Sequence, residues 1–284
     1  MTDALIGIER RNKADTGAKR APKRATLFRA GDAHLGWVVP FLLLLAWQIS
    51  SSTGALSATI LPNPLSVATA AWRLILSGEL IRNIGVSALR AFGGLFVGGF
   101  IGLAFAFANG LSRWSDTFTD TTLQMIRNVP HLALIPLVIV WFGIDEGAKL
   151  FLVSLGVFFP IYLNTLHGIR AVDPQLVEMG RSYGMTQKAL FWRIILPGAL
   201  PSIFVGLRFG LGITWLTLIV AETIAAQSGI GYMAMQAREF MQLDVVLVAI
   251  LIYAGLGKLA DSSVRVLERI FLGWSPAFQT KAGR

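Results

Sequence analysis

Six stretches of the chain are apolar over helix-length distances, and most of its polar residues fall between them. The first covers 35–49 and follows a polar segment. The others lie near 84–108, 121–142, 149–167, 198–222 and 243–261. The hydrocarbon core of a bilayer takes about 20 apolar residues in a helix, so each stretch predicts a membrane span. Two patterns are interrupted: Asn128-Val129-Pro130 lies inside the third span and Pro160 inside the fourth. Proline removes a backbone donor, so both positions predict kinks whose freed carbonyls neighbouring helices re-satisfy.

Between the first two spans, Leu61-Pro62-Asn63-Pro64 is a turn, with Asn63 placed to cap a helix and Pro64 at its first position. Leu65, Ala68, Trp72, Ile75 and Leu76 then recur at helical spacing, and Gly78 stops the run. This predicts an amphipathic helix lying outside the membrane. Ala55-Leu56-Ser57-Ala58 faintly resembles a cleavage site. The long segment before the first span favours a retained signal-anchor. The expected organisation is a tail at 1–34, the first span and surface helix at 35–79, a membrane core at 80–262 and a tail at 263–284.

Composition supports this reading. Apolar residues make up 54% of the 284 positions and charged residues 14%. Mean hydropathy is +0.63. A soluble domain carries roughly a quarter charged residues. The fold class is therefore an all-α integral membrane protein with about six transmembrane helices. The net charge of +9 resides in the tail and in alternate loops, with no aromatic-studded basic stripe, so nucleic acid is not an expected partner. Arg10, Arg11, Lys13, Lys19, Arg20, Lys23, Arg24 and Arg29 share a side with Arg113, Arg170, Arg181, Lys188, Arg193, Arg265, Arg269, Lys281 and Arg284. The opposite side has Arg73, Arg82, Lys149 and Arg238, balanced by Glu79, Asp145, Glu146, Glu239 and Asp244. The positive-inside rule puts both termini in the cytoplasm, in parity with six spans. The chain has no cysteine, which removes disulfides and thiolate chemistry.

The loop at 168–197, between the fourth and fifth spans, is the most informative. Asp173-Pro174 predicts a helix start, and Gly184 supplies a left-handed end after Tyr183. Thr186 can cap a second short helix whose apolar face is Leu190, Phe191, Ile194 and Leu196, with Pro197 breaking it before the next span. Such short helices are marginal in water unless docked. The plain expectation is a loop packed on its own helix ends; the sharper one is a knob offered to a cytoplasmic partner.

Glu178-Met179-Gly180, three residues, Gly184, nine residues, then Ile194-Ile195-Leu196-Pro197 resembles the Glu-Ala-Ala loop of bacterial ABC importer permeases. The spacing agrees throughout, although Met179 and Gly180 replace the two alanines. The resemblance covers roughly 35–280 and is nearest to the aliphatic sulfonate subgroup, with taurine and nitrate permeases similar over the same segments. It is carried by Ile60-Leu61-Pro62-Asn63-Pro64, Met125-Ile126-Arg127-Asn128-Val129-Pro130-His131 and Trp141-Phe142-Gly143-Ile144-Asp145-Glu146. Ala221-Glu222-Thr223-Ile224 and Gly229-Ile230-Gly231-Tyr232 extend it. It implies a type I importer permease fold in the bacterial inner membrane. It also implies a second permease copy as a homodimer, ABC ATPase subunits and a periplasmic substrate-binding protein. Glu178, Gly180, Gly184, Ile194, Leu196 and Pro197 would then couple the chain to the ATPase. No Gly-x-x-x-x-Gly-Lys-[Ser/Thr] occurs; Gly257-Lys258 comes nearest, with Ile252 and Leu259 in the wrong places. The chain is thus not expected to be an enzyme or to bind a cofactor, with ATP and Mg on the partner ATPase.

Charged residues inside spans cost roughly 2.5–3.5 kcal/mol on insertion scales and usually face a cavity or a partner. Arg127, His131, Asn164, Arg208 and Glu222 are the candidates for the translocation path. A guanidinium fork matches the oxygens of a sulfonate. Against this, Arg90 is expected to snorkel outward, and Arg208 to pair between helices, since Glu222 lies about 21 Å along the same one. Gly94, Gly98 and Gly102, like Gly206 and Gly210, predict close helix packing within the subunit. Trp141 and Trp215 read as membrane-interface anchors, and Asp145-Glu146 as a solvated outer turn. Three histidines without carboxylate partners at ligand spacing predict no metal site. An ion-gradient carrier would call for inverted repeats and more buried acids. A membrane-embedded enzyme would call for a convergent nucleophile and base, which His34, His131 and His167 do not supply.

Overall fold

The computed structural model describes residues 38–53 and 61–274. The expected tail at 1–34, the cleavage-like segment, Ile60 and residues 275–284 lie outside the described residues. The chain divides into two units, 1–50 and 51–284. The first holds most of α1, Val38–Ser52, an apolar helix of 15 residues. Pro40 sits in its first turn, where no intrahelical donor is required.

All other described elements belong to the second unit. Helix α2 (Pro64–Leu76) starts as expected: Asn63 accepts from the Ser66 amide at 2.6 Å, Pro64 takes the first position, and Gly78 follows with φ +76°. Then come α3 (Glu79–Leu111), α4 (Arg113–Arg127), a 3-10 turn at His131–Leu134 and α5 (Ile135–Phe142). Helix α6 (Glu146–Arg170) precedes α7 (Pro174–Ser182), α8 (Gln187–Leu190), a π turn at Phe191–Ile195 and α9 (Leu196–Ala225). Helices α10 (Ile230–Glu239) and α11 (Leu243–Phe271) complete the described chain.

Four described helices are long and apolar enough to span a membrane, or five if α4 and α5 count as one broken span. Helix α6 is the axis, packed between α3 and α9. Glycine makes both contacts possible. A Cβ on Gly98 would strike the main chain of Ser154, one on Gly102 would lie 2.8 Å from the Phe158 carbonyl, and one on Gly206 would lie 3.1 Å from the Pro160 carbonyl. The glycine ladders thus serve packing within one subunit.

Several expectations need correction. The third span is not one kinked helix, because α4 and the His131–Phe142 segment meet at 80°. The helix ends at Arg127 ahead of Pro130, since a proline disfavours helical backbone in the residue before it, and Pro136 then stands in the first turn of a fresh helix. Pro160, by contrast, leaves α6 unbroken. Nor does Pro197 break the elbow from the fifth span, since residues 187–225 form one continuous helix. The widened turn just before the proline absorbs it, with the Leu196 amide donating five residues back to the Phe191 carbonyl. Residues 263–271, expected in the tail, continue α11. An Arg265–Asp261 ion pair at 2.9 Å supports that turn, and Val264 and Leu272 are buried with Phe204 and Leu211. Trp215 is buried and packs edge-on to Tyr253, so its ring faces into the bundle and not outward as an anchor would.

Candidate functional site

Three regions carry the residues singled out by the sequence. The first is the elbow after α6. The Asp173 carboxylate accepts from the Gln175 amide at 2.9 Å, and α7 starts on Pro174. At the other end, the Gly184 amide donates to the Arg181 carbonyl and the Met185 amide to the Gly180 carbonyl. With Gly184 at φ +74°, this is a complete Schellman end. Thr186 caps the second arm through the Ala189 amide at 3.3 Å. Gly180 is buried where the arms meet, and a Cβ there would lie 2.8 Å from Ile194 and 3.1 Å from the Met185 sulfur. Leu190 closes the same contact. Leu176, Met179 and Tyr183 are exposed at helical spacing, and Glu178 is exposed beside them. Ile194 therefore holds the bend together from inside, while Leu196 and Pro197 lie at the start of α9.

The second region is the break between α4 and α5. Arg127, the last residue of α4, is exposed and has no ion-pair partner among the described residues. It lines a cavity of about 410 Å³ with His131, Leu155, Gly156, Phe159 and Ile213. The His131 ring lies 3.0 Å from the Thr217 hydroxyl on α9. Gly156 keeps this space open, because a Cβ would lie 3.1 Å from that hydroxyl and 3.3 Å from the imidazole. A neighbouring cavity of about 270 Å³ shares Arg127 and adds Asp120, Gln124, Tyr162 and Arg170. The first cavity has no acid in its lining, so the Arg127 guanidinium can hold an anion there, whereas Asp120 stands beside it in the second.

The remaining path candidates lie elsewhere. Asn164 lines neither cavity and donates its amide to the Pro160 carbonyl at 2.8 Å. Arg208 pairs with Asp261 of α11 at 2.6 Å, the cross-helix pairing expected of it. Glu222 belongs to the third region, at the opposite end of the bundle from the elbow.

There the Arg90 guanidinium meets Glu222 at 2.8 Å and Glu146 at 2.5 Å, and also bonds the carbonyl and hydroxyl of Ser228. Arg90 does not snorkel; its side chain is 6% exposed and that of Glu222 is 0% exposed. Arg90 and Glu222 are each met by an opposite charge from another helix, which makes their burial tolerable. Glu222 also accepts from the Ser87 and Tyr253 hydroxyls and the Gly231 amide. Lys149 reaches Glu146 at 3.2 Å, so the supposed outer turn is tied down on its inner side. Asn83 accepts from the Gly229 amide and Ser87 from the Ile230 amide. The motif glycines follow from this: a Cβ on Gly231 would lie 2.6 Å from the Glu222 Cβ, and one on Gly229 would strike the carboxylate. Sequence reasoning missed Asn83, Ser87 and Tyr253. The spacing of Asn83, Ser87 and Arg90 puts a polar stripe on one face of an apolar helix, and that signal was available.

Comparison with known proteins agrees with this architecture. Residues 94–271 match the family model described as "binding-protein-dependent transport system inner membrane component". The chain is 60% identical to the aliphatic sulfonates transport permease protein SsuC of Escherichia coli K12, over 86% of this chain and 93% of that one. It is 43% identical to SsuC of Bacillus subtilis 168, over 88% and 92%. Among solved structures, an amino acid ABC transporter superposes with a TM-score of 0.53 at 20% identity, covering 70% of this chain and 97% of that one.

Proposed function

The chain belongs to the binding-protein-dependent inner-membrane transport components, the permease subunits of ABC importers, and we propose that it forms the membrane path for aliphatic sulfonates. In this reading two copies assemble as a homodimer in lipid. The elbow at 171–186 faces the cytoplasm and takes force from a separate ATPase that binds ATP and Mg. Glu178 and the exposed apolar stripe of α7 meet that ATPase, while Gly180, Gly184, Ile194, Leu196 and Pro197 keep the bend stiff. A periplasmic binding protein delivers cargo to the opposite end. Both termini lie in the cytoplasm.

The observation that supports a sulfonate path best is the unpaired Arg127 on the cavity shared with His131. Selectivity resides mainly in the binding protein, so the path needs an anion contact weak enough to leave. One guanidinium on apolar walls meets that need. Asn164, Arg208 and Glu222 have no such role in this reading, since each is bonded away from the cavity.

The test is ATP-driven uptake of radiolabelled ethanesulfonate into proteoliposomes holding the permease with its ATPase and binding protein. Arg127→Ala is expected to cut uptake with normal assembly, and Arg127→Lys to retain part of it. Unchanged uptake in both variants would remove the assigned path. Because the chain lacks cysteine, Thr186→Cys tests orientation directly: an impermeant thiol reagent should label it only from the cytoplasmic face.

A further inference from the structure

Arg127 is not alone on its cavity wall. Arg170, the last residue of α6, lines the neighbouring 270 Å³ space with it, but its charge is handled differently. Its guanidinium lies 2.6 Å from Asp116, in the first turn of α4. Both groups are partly open, with the Arg170 side chain 51% exposed and that of Asp116 30%. The acid sits at a helix N-terminus and the base at a helix C-terminus, so each macrodipole favours the charge it carries. The chain turns into the elbow one residue after Arg170.

We propose that Asp116 and Arg170 form a charge gate at the elbow-side mouth of the cavity, which lets a sulfonate leave Arg127 without being trapped. This rests on the reading that the Arg127 cavity belongs to the path. A second free guanidinium beside the first would bind the same anion and slow its release, since charge-assisted bonds to a guanidinium are among the stronger ones. Asp116 cancels that attraction while the pair is closed. An elbow movement that parts α6 from α4 exposes Arg170 to the cargo, and re-pairing expels it. Arg127 is thereby the holding contact and Arg170 the releasing one.

A purely structural bridge and a charge gate differ in the sign of their mutant effects. Removing either partner of a structural bridge should weaken the protein in the same direction. In a gate, Asp116→Asn leaves a free cation and Arg170→Gln leaves a free acid. The reconstituted complex is loaded with lumenal ethanesulfonate, and the concentration that halves ATP-driven uptake is measured. That concentration should fall by about threefold or more in Asp116→Asn and rise by a similar factor in Arg170→Gln. Melting temperatures of the two variants serve as the folding control. Shifts in the same direction, or no shift in either variant, overturn the gate. If Arg127→Ala also leaves uptake untouched, the path assignment itself has failed; if Arg127→Ala abolishes uptake, only the gate has.

Discussion

Arg90 lies within α3 and Arg127 ends α4, and the two charges could hardly be placed more differently. Arg90 is surrounded by two carboxylates, a serine and a loop carbonyl, and these draw together α3, α6, α9 and the loop before α10. Arg127 ends a helix at an 80° break and opens on a cavity. A charge inside a span is therefore not by itself a mark of function. What separates the two is how many groups have already answered the charge. In Arg90 the answer is complete and the region is a clamp; Arg127 has no ion-pair partner among the described residues and lines an open cavity.

Substitution can break this contrast. The largest effect is expected for Glu222→Ala, which leaves Arg90 buried with one fewer counter-charge and should cost about 3–5 kcal/mol. Loss of folded protein in detergent, read by size-exclusion fluorescence, would show it; a normal melting temperature would refute the clamp. Arg127→Ala should lower sulfonate uptake about tenfold, the scale of one lost charge-assisted bond, while the melting curve stays in place. Tyr253→Phe removes one hydroxyl donor from Glu222 and should cost about 1 kcal/mol, visible as a small drop in melting temperature with uptake retained. Arg208→Gln should change stability by less than about 1 kcal/mol, because its pair with Asp261 is partly exposed. A transport defect there without a stability change would move Arg208 back among the path residues.

The elements that proved legible in the sequence were those fixed by local chemistry. Asn63-Pro64, Asp173-Pro174, Gly184 and Thr186 each act through bonds to residues two or three positions away, so their caps could be written down from the chain alone. The glycine ladders were equally readable, because their spacing already implies a close neighbour. The failures are long-range. Nothing near Glu222 announces Arg90, which lies 132 positions away, and nothing near Arg170 announces Asp116. Proline was misjudged for a related reason. Pro130 and Pro197 have the same ring, but one is followed by a second proline that restarts the helix and the other is preceded by a widened turn. Which outcome a proline produces depends on the turns flanking it and not on its own chemistry.

The unbroken run from Gln187 to Ala225 has a mechanical meaning. At 39 residues it is a shaft of about 58 Å, with the outer arm of the bend at one end and the Glu222 carboxylate near the other. Tilting a shaft that long by about 5° sweeps its far tip through about 5 Å, more than enough to part a hydrogen bond. A displacement of the elbow arm would thus be felt at the Glu222 end of the same helix.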